Sequence, residues 1–232
     1  MTVNAISNDT IQDVFQGEIQ QLGGENLRVY SDERFLVIRA LLPQIGEVAK
    51  NDAMQNGVAL CATQSDINVM PFMQRQVCRN GAVLSHSLEA TRLDRLETDE
   101  AWTTFALGRA ARACGREELF ANNLNRVAQT RFRPIDKALN ILGYLGENSK
   151  GLSSSIRRQV MRRLLEHEDQ TEYGIMNAVT WVAKEVRSEH TTWALQTLGG
   201  KIGLNYAKLP ERKPMGEHRV VKTLLERAGA GR

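Results

Sequence analysis

The segment Arg131-Phe132-Arg133 places an aromatic ring between two guanidinium groups, and Arg126 lies shortly before it. Three asparagine amides lie within residues 122–125. Arginine side chains bind phosphates, aromatic rings stack on bases, and amides hydrogen-bond to sugars or base edges. This combination is typical of a nucleic-acid-binding surface. In the competing interpretation, Phe132 is a core residue close to the following proline.

A second group of arginines lies in the helix predicted over residues 153–167. The apolar residues of this helix form one stripe, and Arg158, Arg162 and Arg163 face away from it, as they would on an ordinary solvated face. Arg157 falls inside the stripe, where a charge requires a partner or an interface. The predicted nucleic-acid-binding residues are therefore Arg126, Arg131, Phe132, Arg133, Arg157, Arg158, Arg162 and Arg163.

The charge of the chain is distributed unevenly. The 30 basic and 27 acidic side chains give a net charge of only +3 over 232 residues. Residues 1–100 carry a net charge of −6, residues 101–165 carry +8 and residues 166–232 carry +1. The basic middle segment supports a nucleic-acid-binding surface, whereas the acidic first hundred residues would be the working surface if the partner were a protein.

Enzyme signatures are absent: the chain has no GxGxxG, HExxH or GxSxG motif. The loop over Gly146–Gly151 has its lysine before the second glycine, the reverse of the order that a phosphate-binding loop requires. Asp94, Glu97 and Asp99 could hold Mg²⁺ in a nuclease, but acidic residues at a predicted helix start also favour the helix dipole. We therefore predict a non-enzymatic protein, with a nuclease as an alternative.

The cysteines and histidines predict neither a disulfide framework nor a metal site. The three cysteines lack a Cys-x-x-Cys spacing, and the four histidines form no ligand spacing with them. The N-terminus lacks the features of a signal peptide, and no apolar stretch approaches the roughly 18 residues of a membrane span. We expect a cytoplasmic protein with no cofactor and no membrane partner.

The first hundred residues predict an α+β region. One helix is expected to start at Asn8 or Asp9, and a second helix is expected over Arg34–Leu42. Asn80-Gly81 is the strongest turn signal in the chain, because both residues tolerate a positive φ. The predicted extended segments lie at 27–30, 57–63, 67–70 and 82–88, with a turn at Ser65-Asp66.

After Thr98 the pattern is helical almost to the end of the chain. Trp102, Trp181 and Trp193 fall at helical-stripe positions, which predicts that they are core residues. The predicted helices lie at 99–114, 117–130, 134–145, 153–167, 171–188 and 191–206, with a last helix near Glu217–Arg227.

These elements predict an α+β fold with a small mixed β-sheet in the N-terminal half and a mainly helical C-terminal half. The expected organisation is an α+β portion over 1–97, a helical portion over 98–209 packed on it, and a linker with a C-terminal helix or tail over 210–232.

Two segments carry a resemblance to a known family. Residues 71–81, PFMQRQVCRNG, resemble the R-x-V-C-x-N-G signature of a phage/plasmid-like protein family of unknown function. Residues 171–181, TEYGIMNAVTW, are similar to the T-x-W/Y-G-x-x-N-A-V-T helix of the same family. The turn at 63–66 departs from the family pattern, because it lacks the expected Asn and Gly. The matching positions are Arg75, Cys78, Asn80, Gly81, Asn177 and Thr180.

The resemblance implies a protein carried by phages, prophages and plasmids, and it brings no catalytic residues. Turn geometry alone explains Asn80 and Gly81, whereas Asn177, inside an apolar helix stripe, is either a buried hydrogen-bond organiser or a binding residue. We predict a nucleic-acid-binding protein in the cytoplasm of a bacterial host. Its expected ligand is DNA, in single-stranded form during recombination or replication. The sequence leaves the oligomeric state open, and a homo-oligomer would turn a weak binding surface on each subunit into a strong one. The alternative is a protein-binding module that blocks or redirects a host defence factor.

Overall fold

The computed structural model describes residues 6–87, 89–97, 99–134, 153–167 and 169–204. Pro134 forms an isolated antiparallel bridge with Thr171. The rest of the helix predicted over 134–145, the Gly146–Gly151 loop and the 210–232 portion with its helix near Glu217–Arg227 lie outside the described residues.

A six-stranded antiparallel sheet occupies the N-terminal half. The strands β1 to β4 follow one another as a meander, and β4 then pairs with both β5 and β6. The prediction of a mixed sheet was wrong in this detail, since every strand pairing is antiparallel. Short connections reverse the chain direction, and a parallel pair needs a long crossover. The strands are β1 (Glu25–Ser31), β2 (Leu36–Ala49), β3 (Asp52–Ala62), β4 (Asp66–Arg75), β5 (Gly81–Val83) and β6 (Thr91–Asp94).

The helix predicted over Arg34–Leu42 is wrong, because these residues enter β2. Residues 35–38 are buried on both faces of the sheet, so they show no period-two pattern and resemble a helix segment in sequence. Pro43 lies inside β2 where the register with β3 shifts between Leu41 and Ile45. A bulge is one of the few positions at which a strand tolerates proline.

The two faces of the sheet hold different parts of the core. Ile38, Leu60 and other alternate residues of β2 and β3 pack against the first two helices of the chain, including Phe15. Residues of the opposite face, such as Val37 and Phe72, pack with Trp193 near the C-terminal end of the described chain, whereas Met73, further along the Leu60 face, packs under other later helices. This alternation is the period-two pattern of a strand covered on both sides.

The described helices agree with the predicted ones to within a few residues. The first is α1 (Asn8–Gln21), in which Ser7, rather than Asn8 or Asp9, is the N-cap. The others are α2 (Glu100–Gly115), α3 (Glu117–Gln129), a 3₁₀ turn (Thr130–Phe132), α4 (Ser154–His167), α5 (Glu172–Glu185) and α6 (Glu189–Gly203). The α+β class is thereby confirmed, with the sheet first and a mainly helical half after it. None of the helices in the described ranges is long and apolar enough to cross a membrane.

The three tryptophans do not all lie in the core. Trp102 is 57% exposed on α2, so its prediction as a core residue was wrong. The buried face of α2 consists mainly of small residues such as Gly108 and Ala111, which allow the helix to lie close to its neighbours. Trp181 and Trp193 are half-buried at the surface of α5 and α6.

Candidate functional site

The two motif segments meet in space, although about a hundred residues of chain separate them. Asn80 is buried at the end of the turn between β4 and β5, and its side-chain amide donates to the Thr180 hydroxyl of α5 at 2.5 Å. The Thr180 hydroxyl in turn donates to the carbonyl of Met176 at 2.9 Å. This chain of hydrogen bonds joins the sheet to α5. We call residues 76–80 together with α5 the joint.

The turn in the joint has a different geometry from the one predicted. The positive φ belongs to Arg79, at 52°, and not to Asn80 or Gly81. Gly81 is required for space instead, because a Cβ atom there would lie 2.2 Å from the ring of Phe72. The turn was therefore predicted at the correct place, but the positive φ assigned to Asn80 and Gly81 was wrong.

A buried ion pair supports the joint from the sheet side. The Arg75 guanidinium binds both carboxylate oxygens of Asp52, at 2.5 and 2.9 Å, and lies over the ring of Tyr173. The Tyr173 hydroxyl donates to the same carboxylate at 2.8 Å. Burial, followed by the charge of Asp52, raises the pKa of Tyr173, so this hydroxyl stays protonated. The guanidinium of Arg75 is thus committed to the fold.

Cys78 is half-buried and hydrogen-bonded, although a free cysteine usually behaves as a small buried hydrophobe. Its thiol donates to the side-chain oxygen of Asn80 and accepts a long contact from Arg75 at 3.6 Å. The ammonium group of Lys184 donates to the Cys78 carbonyl at 3.2 Å. Side chain and backbone of Cys78 therefore both hold the turn against α5.

A cleft of about 650 Å³ opens between the joint and the C-terminal end of α4. Four cations line it, whereas Asp169 is the only carboxylate in its described lining. We call it the basic cleft, and its cations are Arg75, Arg79, Arg163 and Lys184. Arg75 is held by Asp52, and Arg163 has a long contact of 3.4 Å with the exposed Glu166. Arg79 and Lys184 have no carboxylate partner among the described residues, so these two and Arg163 are the cations that a ligand anion can reach.

The ring of Trp181 lies in the wall of the basic cleft, and cations surround it. The Arg163 guanidinium is 3.7 Å from the ring centroid, and the Lys184 ammonium is 4.9 Å from it. Its indole N–H donates to Glu185 at 2.7 Å, which fixes the orientation of the ring. Cations over an aromatic face are held by the ring quadrupole without losing their charge. They therefore remain able to bind an anion.

Asn177 supplies an unused acceptor in the same wall. Its side-chain oxygen is buried and has no hydrogen-bond partner among the residues described. A buried polar atom without a partner costs about 1–3 kcal/mol, which a ligand donor would recover. The Asn177 side chain also hydrogen-bonds to the Tyr173 hydroxyl, so it organises the joint and keeps one acceptor that a ligand could use.

The arginines predicted from the segment 126–133 do not line the basic cleft. Arg126 donates to the carbonyl of Leu204 at 2.7 Å, and Arg131 donates to the carbonyl of Val48 at 3.4 Å. Arg133 pairs with the buried carboxylate of Glu172 at 3.4 Å. These guanidinium groups bind backbone carbonyls and a carboxylate of the fold itself. The Phe132 ring is 79% exposed, so its interpretation as a core residue was wrong.

Of the four arginines predicted on α4, only Arg163 reaches the basic cleft. Arg162 is exposed and lies 3.8 Å from Glu166, and Arg158 is exposed. Arg157 is half-buried, and its Nε has no acceptor within the described part of the chain. Of the eight predicted residues, only Arg163 lines the basic cleft together with motif residues.

Sequence reasoning missed Arg79, His167, Trp181 and Lys184 as members of the site. The missing signal was periodicity: Asn177, Trp181 and Lys184 are spaced i, i+4, i+7, so they share one face of α5. Arg163 and His167 show the same i, i+4 relation on α4. Each residue alone has an ordinary explanation, and only the facing of two helices and one turn brings them together.

The carboxylates considered for a nuclease serve local structure. Asp99 caps α2 by accepting from the backbone N–H of Trp102 at 2.9 Å, and Asp94 accepts from the N–H of Leu96 at 2.8 Å. Within the described ranges, no group of three histidine, cysteine or acidic side chains could hold a metal ion.

Comparison of the chain with protein-family models, with curated proteins and with solved structures finds no match. The resemblance to the phage/plasmid-like family therefore depends on the two sequence motifs alone. The chemistry of the basic cleft is then the main structural guide to the class of protein.

Proposed function

We propose that this protein is a non-enzymatic nucleic-acid-binding protein of a phage or plasmid and that the basic cleft holds the polynucleotide. Arg79, Arg163 and Lys184 bind backbone phosphates, and the Asn177 side chain accepts from a sugar or base. The mobile-element context comes from the two family-like motifs. The role in recombination or replication follows from that context and belongs to the same proposal.

The observation that carries this proposal is the Trp181 ring held between the Arg163 and Lys184 cations beside the unpartnered oxygen of Asn177. Phosphate-binding cations next to an aromatic ring and an amide are the groups that nucleic-acid sites combine. A small anion would use the cations but would leave the Asn177 oxygen without the sugar or base donor that a polynucleotide supplies.

The test is fluorescence anisotropy with a labelled oligonucleotide at several salt concentrations. We expect affinity to fall steeply with salt, because each neutralised phosphate releases counterions. Arg163→Gln should lower affinity by about fivefold, in line with the loss of one charge-assisted contact of roughly 1 kcal/mol.

The matched control is Arg158→Gln, which removes the same charge from an exposed position on the same helix. It should leave affinity within about twofold of the unaltered protein. Absence of binding at low salt, binding that ignores salt, or equal effects of the two substitutions would contradict the proposal.

A second candidate function, a module that binds a host protein, is favoured by one surface feature. Trp102 and Phe105 are 57% and 53% exposed on α2, their ring centroids lie 6.0 Å apart, and Arg109 lies over Phe105. Exposed aromatic residues with an arginine are typical of the energetic centres of protein interfaces.

A photo-crosslinking residue at position 102 tests this second function in host cells. It should give one discrete adduct, whereas the same residue at exposed position 158 should give none. Equal patterns from the two positions would count against a protein partner at α2.

A further inference from the structure

A second, smaller cleft of about 230 Å³ lies on the other side of the joint, between β1, β2 and α6. Arg79, Asn80 and Lys184 line both this cleft and the basic cleft. We call it the sheet-edge cleft. Because the two clefts share these walls, a ligand long enough to leave the first passes over Arg79 and Lys184 into the second.

Two arginines face each other across strands in the sheet-edge cleft. Arg28 of β1 is the direct register partner of Arg39 of β2. Like charges directly opposite each other destabilise a sheet. Arg39 is compensated, since it pairs with Glu189 and donates to the Gln196 side chain at 2.7 Å.

Arg28 has no such compensation. No carboxylate of the described residues forms an ion pair with it. Of this like-charge pair the fold neutralises only Arg39, so the exposed Arg28 can take a ligand anion as its partner.

An aromatic ring accompanies this free cation. Tyr30 lines the sheet-edge cleft and is 39% exposed, and its hydroxyl donates to Asp32 at 3.1 Å, which holds the ring in place. Each cleft therefore contains a cation beside a ring: the half-buried Arg163 with Trp181, and the exposed Arg28 with Tyr30. Bases reach rings inside such clefts only when they are unpaired.

We propose that the ligand is a single-stranded polynucleotide that crosses the joint, with one part in the basic cleft and the next part in the sheet-edge cleft. Arg28 binds a backbone phosphate, and the Tyr30 ring stacks on a base. This inference rests on the proposed nucleic-acid binding and adds the strandedness of the ligand and a second subsite.

The experiment measures the affinity of the full chain for fluorescein-labelled oligothymidylate and oligouridylate of two lengths. About 4 nucleotides fill one cleft and about 12 span both, within the range of site sizes found for single-strand-binding folds. Arg28→Gln should weaken binding of the longer oligonucleotide by about fivefold and leave the shorter one unchanged. In the Arg28→Gln protein, the slope of log affinity against log salt concentration for the longer oligonucleotide should also become shallower by about 0.7.

The matched control is Arg34→Gln, an exposed arginine of the β1–β2 connection outside both clefts. This substitution should change the affinity for neither the shorter nor the longer oligonucleotide. Effects of Arg28→Gln equal to those of Arg34→Gln would overturn the second subsite, while binding that depends on Arg163 would leave the proposed function intact. Failure of every oligonucleotide to bind would overturn both.

Two competitors complete the design. A duplex of the longer sequence should compete at least tenfold more weakly than the single strand, and equal competition would overturn the single-stranded assignment. Poly-L-glutamate should also compete poorly, because it has no bases for Trp181 and Tyr30. Equal displacement by poly-L-glutamate would mean that the groove receives an acidic peptide segment, and the inference would fail. The difference between the thymidylate and uridylate affinities assigns DNA or RNA.

Discussion

The arginines of the basic cleft and those of the segment 126–133 carry the same charge but differ in what already binds them. Arg126 and Arg131 donate to backbone carbonyls, and Arg133 pairs with a buried carboxylate. Arg163, in contrast, lies over the face of Trp181, donates a 3.4 Å bond to the exposed Glu166, and has no partner for its Nε among the described residues. An arginine bound by the backbone or by a buried carboxylate contributes to stability, whereas one held by a ring and an exposed carboxylate can exchange that carboxylate for a ligand phosphate. A count of arginines along the sequence cannot separate these two cases.

The largest expected effect is a loss of stability and concerns Arg75. This arginine lines the basic cleft, but its guanidinium is already bound by Asp52. Asp52→Ala would leave the half-buried guanidinium and the Tyr173 hydroxyl without their acceptor. We expect a loss of about 3 kcal/mol in the free energy of unfolding, measured by urea denaturation. Asp66→Ala, which removes a carboxylate paired with the exposed Arg92, is the control and should cost far less. Similar losses would show that the pair of Asp52 with Arg75 stabilises the fold no more than an exposed pair does.

The next expected effect is also on stability, and it tests the close packing of the sheet next to the joint. Gly81→Ala places a Cβ against the Phe72 ring and should destabilise the protein by about 2 kcal/mol through overpacking. Gly17→Ala is the control, because nothing lies within 4 Å of a Cβ at this position in α1. It should stabilise the protein by up to about 1 kcal/mol, as alanine favours a helix. Thermal unfolding followed by circular dichroism measures both, and a stable Gly81→Ala protein would refute the steric explanation.

Two double substitutions compare the cations of the basic cleft directly with the arginines of the segment 126–133. Arg79→Gln with Lys184→Gln should lower oligonucleotide affinity by about tenfold, because two phosphate contacts are lost. Arg126→Gln with Arg131→Gln removes the same charge, and it should leave affinity nearly unchanged while lowering the urea midpoint of unfolding. The reverse outcome would place the binding surface on the 126–133 segment, as the sequence alone suggested.

The smallest expected effect is a difference in cysteine reactivity between the basic cleft and the buried core. Burial raises the pKa of the Cys61 and Cys114 thiols to about 12, so few thiolates form and alkylation at pH 8 should be slow. Cys78, half-buried in the cleft, should react first, and a bound oligonucleotide should slow its reaction. Mass spectrometry after iodoacetamide treatment identifies the labelled cysteine. Labelling of Cys61 at the rate of Cys78 would contradict a closed core.

The same two thiols give a pH dependence of stability. Their ordinary pKa is 9.0, whereas in the fold it is about 12. The unfolded chain therefore binds fewer protons than the folded chain between these values, and the free energy of unfolding should fall as pH rises through that window. Replacement of both cysteines by alanine should weaken this dependence in urea titrations at pH 8 and 10.

The sequence predicted the helices better than the sheet because local signals define helices. Asp99 before an apolar stripe correctly marked the start of α2. The strand at 36–42 was missed, because burial on both faces removes the alternation that identifies a strand. Pro43 directly follows the helix predicted over Arg34–Leu42 and is consistent with a helix end, but it lies at a bulge whose existence depends on the partner strand.

The candidate site was predicted only in part, for a similar reason. The motif comparison selected Asn80, Asn177 and Thr180, which the structure brings together. The run of basic residues selected eight positions, of which only Arg163 lies in the cleft. Lys184 and Trp181 carry no motif of their own, and their role depends on which face of α5 meets the turn. That facing is a tertiary property, so composition and spacing along one helix do not determine it.

The hydrogen bond between Asn80 and Thr180 also affects when the site exists during folding. It closes a loop of about one hundred residues, and contacts of such separation form late because loop closure is entropically unfavourable. The sheet and the individual helices can form before it, but the basic cleft has no second wall until α5 docks. Binding competence should therefore appear in the final kinetic phase of refolding, after most of the secondary structure has formed.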